Sequence, residues 1–192
     1  QADSSELETL FLLELSKTYP IIKGVVGWIN LLGDDVQNRL EYFAQYPIVK
    51  GFRHIVQAES DGFLLQQKFL DNVALLQPFN YAYDILVMPH QLKETLQFVK
   101  KLPDQKIVID HLAKPYIRKK EIIDWENDIK AIAQNPNVSC KLSGLFTEAQ
   151  WKEWHAADFY PYLDVIFESF GTDRLMFGSD WPVMLLSGMY VQ

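Results

Sequence analysis

The sequence predicts an α/β protein built on a parallel sheet, and three observations carry that prediction. Short β-rich apolar runs alternate with amphipathic helical stretches along all 192 residues. Successive β runs begin about 24 to 36 residues apart, close to the ~30 of a βαβ unit. Two of the runs break abruptly at an ionisable residue: Arg174-Leu-Met-Phe-Gly178 gives way to Ser179-Asp180-Trp181-Pro182, and Lys106-Ile-Val-Ile109 to Asp110-His111-Leu-Ala-Lys-Pro115. An ionisable group placed where a buried strand opens into a loop is how a parallel-sheet enzyme presents its chemistry.

The elements follow in order. Leu7, Leu10, Phe11, Leu13 and Leu15 predict a helix over 5–18, with Ser4 or Ser5 as N-cap and Glu8 closing a capping box on Ser5. A strand is expected over 24–31, then a helix over 35–45 opened by Asp34 or Asp35. Strands over 49–56, 81–87 and 107–110 alternate with helices over 64–76, 89–101 and 120–134. A fifth strand over 138–142 precedes helical pieces over 147–153 and 158–170, and a sixth covers 175–178. No linker or change of composition divides the chain, so one domain spans 1–192. Six strands are two short of a closed (β/α)8 barrel, and composition does not choose between an open doubly wound sheet and part of a barrel.

Composition excludes several function classes. A net charge of −7 lacks the basic face that a general nucleic-acid binder needs. The single cysteine, Cys140, rules out an intramolecular disulfide framework and sits in an apolar run, as a buried inert thiol does. No apolar run of ~18 residues and no secretory leader is present, so the expectation is a cytoplasmic protein without a membrane partner. There is no Gly-rich phosphate loop, no Ser-His-Asp order and no paired-cysteine metal spacing.

Six segments together resemble a known family: Gly24-Val-Val-Gly-Trp28, Lys50-Gly-Phe-Arg-His54, Tyr83-Asp-Ile-Leu-Val87, Asp110-His-Leu-Ala-Lys-Pro115, Cys140-Lys-Leu-Ser-Gly144 and Phe177-Gly-Ser-Asp-Trp-Pro182. They are similar to the amidohydrolase-related lactonases, the sugar-lactone and pyrone-dicarboxylate lactonase branch of the metal-dependent hydrolases. The resemblance implies a TIM-like (β/α)8 barrel of which these strands are the third to eighth. It also implies an opening strand with a His-x-His pair, which this sequence lacks, together with a second strand and a closing helix. The 192 residues then read as an incomplete view of a longer chain.

Lactone hydrolysis needs an activated water, a group to polarise the carbonyl, and donors to hold the substrate. Asp180 is the candidate base, against the alternative of a helix N-cap before Trp181-Pro182; the resemblance gives it the catalytic role. His111 is the candidate carbonyl-polarising group, against a histidine held by a backbone carbonyl, and the family places a site histidine there. These two are also the candidate metal ligands, with the absent His-x-His. The resemblance allows one divalent, zinc-like ion, and some branches work without a metal.

Arg53 and His54 are adjacent on one strand, so pleating sends them to opposite faces. Arg53 is the pore candidate, for a substrate carboxylate or vicinal hydroxyls, and His54 the second choice. Tyr83 and Asp84 pose the same question; Asp84 is costly in an apolar strand unless it is paired or faces the pore. Lys141 shares a face with Ser143, opposite Cys140, and suits an anionic substrate or an ion pair with Asp180 or Asp84. Trp28 is either an aromatic wall of the sugar site or core. His90, which follows Pro89 at a helix start, and His155, in the polar stretch Trp151-Lys-Glu-Trp-His155, are set aside, and Trp151 with Trp154 at i, i+3 reads as a packing face.

The leading expectation is a carbohydrate-metabolism hydrolase that opens an aldonolactone-type sugar lactone, with a homo-oligomer open. The alternatives are a metal-dependent decarboxylase of the same superfamily and a catalytically incomplete barrel with a binding role.

Overall fold

In the computed structural model, which describes residues 1–190, six strands form one sheet. They are β1 (Val25–Gly27), β2 (Val49–Ile55), β3 (Ala82–Leu86), β4 (Ile107–Ile109), β5 (Val138–Leu142) and β6 (Leu175–Phe177). Every neighbouring pair is parallel, and spatial order equals sequence order. A doubly wound sheet reverses its strand order at a switch point. Here the winding never reverses, which makes the sheet an incomplete barrel. β1 and β6 are its two unpaired edges, and at the β6 edge Phe177 is 85% exposed.

The helices are α1 (Glu6–Thr18), α2 (Val36–Ala44), α3 (Gln67–Ala74), α4 (Leu92–Lys101), α5 (Ile123–Ala133), α6 (Leu145–Glu148) and α7 (Tyr160–Phe170). Ser5 caps α1, its Oγ accepting from the Leu7 N–H at 3.1 Å. The expected capping box does not close: Glu8 instead accepts from the backbone N–H groups of Ala2 at 2.9 Å and Asp3 at 3.1 Å. α1 lies directly on β1, because a Cβ at Gly27 would come within 2.5 Å of Thr9 Cγ2. Thr9 in turn accepts from the Trp28 N–H at 2.9 Å.

Two predicted helices begin with a separate 3₁₀ turn, at Phe63–Leu65 before α3 and at Pro89–Gln91 before α4. The piece expected over 147–153 is the larger departure. The helix is α6, ending at Glu148, and Lys152 has a left-handed φ of 63°. Trp151 is half-exposed, so no packing holds a helix there, whereas Trp154 packs on Phe146 at 4.6 Å and Phe159 at 5.3 Å. The two tryptophans therefore do not share one packing face.

The core lies between the sheet and the helical layer. Phe52, Phe69, Tyr83, Ile85, Phe98, Ile109 and Cys140 are all fully buried. Phe69, Tyr83 and Phe98 form an aromatic triangle with centroids 5.7 to 6.2 Å apart. Burying each such side chain stabilises the fold by roughly 1.5–3 kcal/mol. Burial also holds the Cys140 thiol well above its ordinary range, as an inert core thiol requires. Among the described residues, no helix is long and apolar enough to cross a membrane.

Candidate active site at the carboxyl ends of the strands

Parallel register decides which side chains meet. Arg53 pairs in register with Asp84, Asp84 with Val108, and Val108 with Ser139. One pleat further along, Asp110 and Lys141 fall on the same face as Arg53 and Asp84. The four side chains close into one ion network. Arg53 Nη1 donates to Asp110 Oδ2 at 2.6 Å, and Lys141 Nζ lies 2.7 Å from Asp110 Oδ1. Lys141 also donates to Asp84 Oδ2. The Lys141 ammonium meets Asp110 Oδ1 without the alignment of a full hydrogen bond, leaving that buried oxygen with an ion pair alone.

Burial and mutual charge set the protonation of this network. Burial pushes the Asp84 carboxyl up, and the Asp110 charge pushes it further, against the pull of Lys141. Burial would raise Asp110 too, but Lys141 and Arg53 overcome it and hold that carboxyl below its ordinary value. Burial works to lower the Lys141 ammonium, yet Asp110 and Asp84 keep it above. Of the two floor carboxyls Asp110 is therefore the more readily ionised, and it is completely inaccessible to solvent.

Above the floor, His111 leaves β4 in an unusual backbone. His111, Leu112, Ala113 and Lys114 all have left-handed φ, between 50° and 55°. L-residues pay roughly 1–2 kcal/mol each for that region, and such strain persists only where surroundings enforce it. Leu112 and Ala113 are fully buried, Lys114 N–H closes the turn on His111 O at 2.7 Å, and Trp125 Nε1 donates to Leu112 O at 2.8 Å. The turn re-aims His111, which strict alternation from Asp110 would send to the helical layer.

The imidazole then lies against the end of β5. His111 Nδ1 shares a 2.8 Å hydrogen bond with Ser143 Oγ, whose direction the tautomer sets. Gly144, at φ 70°, leaves room for the ring: a Cβ there would stand 2.7 Å from His111 Cβ and 2.9 Å from Nδ1. His111 Nε2 faces Asp180 Oδ1 at 3.6 Å. Burial holds the imidazole pKa below its ordinary value, outweighing the charges of Asp110 and Asp180, so the ring is neutral at pH 7. Asp180 also has left-handed φ, 57°, and its backbone carbonyl accepts from Met184 N–H at 2.9 Å. Its side chain turns to His111 rather than capping the turn at Val183–Leu186.

The structure thus brings Asp180, His111, Arg53, Asp84 and Lys141 to one side of the sheet. It does not bring His54 or Tyr83 there, which corrects both as substrate contacts. His54 points to the helical layer, stacked 4.9 Å from Phe63, with Nε2 2.7 Å from Glu59 Oε1. Tyr83 is fully buried against Phe69 and Phe98, so no ligand reaches it. Trp28 follows β1 and is half-buried; since Gly27 faces α1, alternation turns Trp28 to the pore side, and its Nε1 is buried without a partner. His90 and His155 are exposed.

Three further features escaped sequence reasoning. Asp110, masked by the more conspicuous His111 beside it, is the hub of the floor; its parity with Val108 was the available signal. Ser143 was placed on the correct face without its partner. Finally, Lys114 reaches Glu148 Oε1 at 3.3 Å and Gln57 Oε1 at 3.1 Å, a cluster at the mouth with no local sequence signature. A cleft of 670 Å³ beside Lys93, Tyr116 and Asp128 opens between α4 and α5 on the outside, and shares no residue with this pore.

The residues fit a divalent metal only in part. His111 Nε2 and Asp180 Oδ1 converge as two donors, and among the described residues no cluster of three His, Cys, Asp or Glu side chains could hold an ion. A catalytic zinc takes three protein ligands. These residues alone do not complete such a site.

Comparison with known proteins agrees with this geometry. An amidohydrolase family model matches residues 1–192. The L-fucono-1,5-lactonase of Burkholderia multivorans is 37% identical, over 99% of this chain and 68% of its own length. The L-fucono-1,5-lactonase of Burkholderia ambifaria is 33% identical, over 99% and 66%. A crystal structure of a Burkholderia multivorans amidohydrolase with bound zinc superposes with a TM-score of 0.94 at 38% identity, covering all of this chain and 70% of that one. The chain spans about two thirds of the length of these relatives. It belongs to the amidohydrolase family.

Proposed function

We propose that this amidohydrolase opens a sugar-acid lactone of the aldonolactone type to its hydroxy acid. The observation that carries the reading is the pair of strand-end side chains, His111 Nε2 and Asp180 Oδ1, facing each other across 3.6 Å at the pore mouth. The two relatives named as L-fucono-1,5-lactonases support a sugar lactone as the substrate. The chain supplies the third to eighth strands of one barrel domain, and the His-x-His pair implied by the family resemblance would add the ligands a divalent ion lacks. Such an ion, when bound, polarises the lactone carbonyl.

The chain's own residues perform the remaining tasks. Asp180 takes a proton from water as the oxygen attacks the lactone carbonyl. Neutral His111, oriented by the hydrogen bond between Nδ1 and Ser143 Oγ, turns Nε2 to the lactone carbonyl, as an N–H donor to the oxyanion in the absence of an ion and as a ligand in its presence. As the tetrahedral species collapses, the ring C–O bond breaks and the departing alkoxide takes the proton back from Asp180. Arg53 spends Nε on Gln1 and Nη1 on Asp110, which leaves Nη2, without a hydrogen bond among the described residues, to donate to substrate hydroxyls.

The test is hydrolysis of a panel of aldonolactones by the full-length gene product, followed by acid release, beside Asp180→Asn. At least one lactone should open, and the variant should lose at least ~100-fold, the lower range for removing a general base. Silence across the panel, or a fully active Asp180→Asn, would move the function to decarboxylation or to binding without turnover.

A further inference from the structure

We propose that Asp84 makes this pore select uncharged lactones over lactones bearing a carboxylate, by occupying the Lys141 ammonium that would otherwise receive that carboxylate. The inference deepens the functional reading above and rests on it. Among the described residues three side-chain cations face the pore and its mouth, and each is already matched: Arg53 by Asp110 at 2.6 Å, Lys141 by Asp84 and Asp110, and Lys114 by Glu148 at 3.3 Å. Asp180 is a fourth carboxylate, and its neighbour is an imidazole. Among the described side chains, three cations thus stand against four carboxylates, before the charge of any bound ion is added.

An arginine and a lysine in a lactonase pore suggest at first a receptor for an anionic substrate. The pairing removes that role. Asp84 and Asp110 are 2% and 0% exposed, so water does not screen them. A substrate carboxylate at Lys141 would sit against two fixed anions of its own sign. A neutral polyol meets no such repulsion, since Arg53 Nη2 and the remaining Lys141 hydrogens can donate to hydroxyls while the floor stays paired.

Of the two buried carboxylates, Asp84 is the one that decides selectivity. Asp110 ties Arg53 and Lys141 together, so removing it dismantles the floor. Among the described residues Asp84 forms an ion pair with Lys141 alone. Neutralising it leaves Lys141 anchored on Asp110 with its charge only half compensated, which is the arrangement a carboxylate guest needs.

The experiment compares kcat/KM on an aldonolactone and on the matching lactone whose terminal CH2OH is a carboxylate, for the full-length wild type and Asp84→Asn. Wild type should favour the neutral substrate, and Asp84→Asn should shift the ratio at least ~10-fold towards the carboxylated one, chiefly through its KM and less so at high salt. Asp84→Asn/Lys141→Gln, which removes the receptor as well, should lose that shift. Equal wild-type turnover of both substrates, an unchanged ratio in a folded Asp84→Asn, or a shift that survives in the double variant would each overturn the inference. Should Asp84→Asn fail to fold, Asp84→Ser is read by the same criteria; should both fail, the wild-type preference decides. A wild type silent on every lactone removes the functional reading itself, and this inference with it.

Discussion

The two faces of β2 and β3 solve opposite problems with adjacent residues. On the pore face Arg53 and Asp84 enter a network in which every charge has a counter-charge from a different strand or the turn that follows one. On the helical face His54 and Tyr83, their immediate neighbours, lie among Phe63, Phe69 and Phe98. Burial is similar on both sides, but what burial demands differs. A buried charge costs heavily unless paired, whereas an aromatic ring gains from any close apolar neighbour. The pore face is therefore intolerant of losing one member, and the helical face tolerant of small polar changes.

The sharpest test of that difference is Asp110→Ala. It strands Arg53 and Lys141 without their shared counter-ion, and removing one partner of a buried ion pair destabilises by about 3–5 kcal/mol. Denaturant unfolding of the variant reads this loss directly, and a loss of under ~1 kcal/mol, the range of an exposed pair, would break the comparison. The same residue gives the pH dependence its sign. A carboxyl held below its ordinary value contributes stability present above the unfolded pKa, near 3.9 for Asp, and lost as pH falls through the lowered folded value. The acid limb of the wild-type stability curve should be shallower in the variant.

His54→Ala should have a middling effect on stability and none on selectivity. It removes the contact with Glu59 and the stack on Phe63, worth roughly 0.5–1.5 kcal/mol for a hydrogen bond of this kind. Lactone turnover by the variant should persist, since the ring lies on the other side of the sheet. A collapse of kcat/KM comparable to that of Asp180→Asn would place His54 at the site and undo the assignment of faces.

The smallest effect belongs to Tyr83→Phe. Among the described residues the Tyr83 hydroxyl is buried with no hydrogen-bond partner that meets full geometry. Deleting an unpaired buried hydroxyl should change stability by less than ~1 kcal/mol, in either direction. A thermal melt that drops far beyond this would mean the hydroxyl serves the pore floor after all.

Much of the fold was legible because its signals are local. Runs such as Ile107-Val-Ile109 and Val138-Ser-Cys-Lys-Leu142 announce strands by composition, and pleating alone separates Lys141 from Cys140 and Arg53 from His54. The helix over 147–153 failed for the complementary reason. Its Trp spacing suits a helix, but only Trp154 found something to pack against.

The sequence by itself determined the alternation of elements, the strand ends at His111 and Asp180, and which residues of a strand share a face, because these depend on neighbours a few residues away. Only the tertiary structure decided that Asp110 holds Arg53 and Lys141, that Asp84 holds Lys141, and that Ser143 and Gly144 cradle His111. Arg53 and Asp110 are 57 residues apart, as are Asp84 and Lys141. Pairing at that range is set by strand order, register and the curl of the sheet. The left-handed turn that aims His111 is likewise held by burial of Leu112 and Ala113 in a core that exists only once the chain has folded.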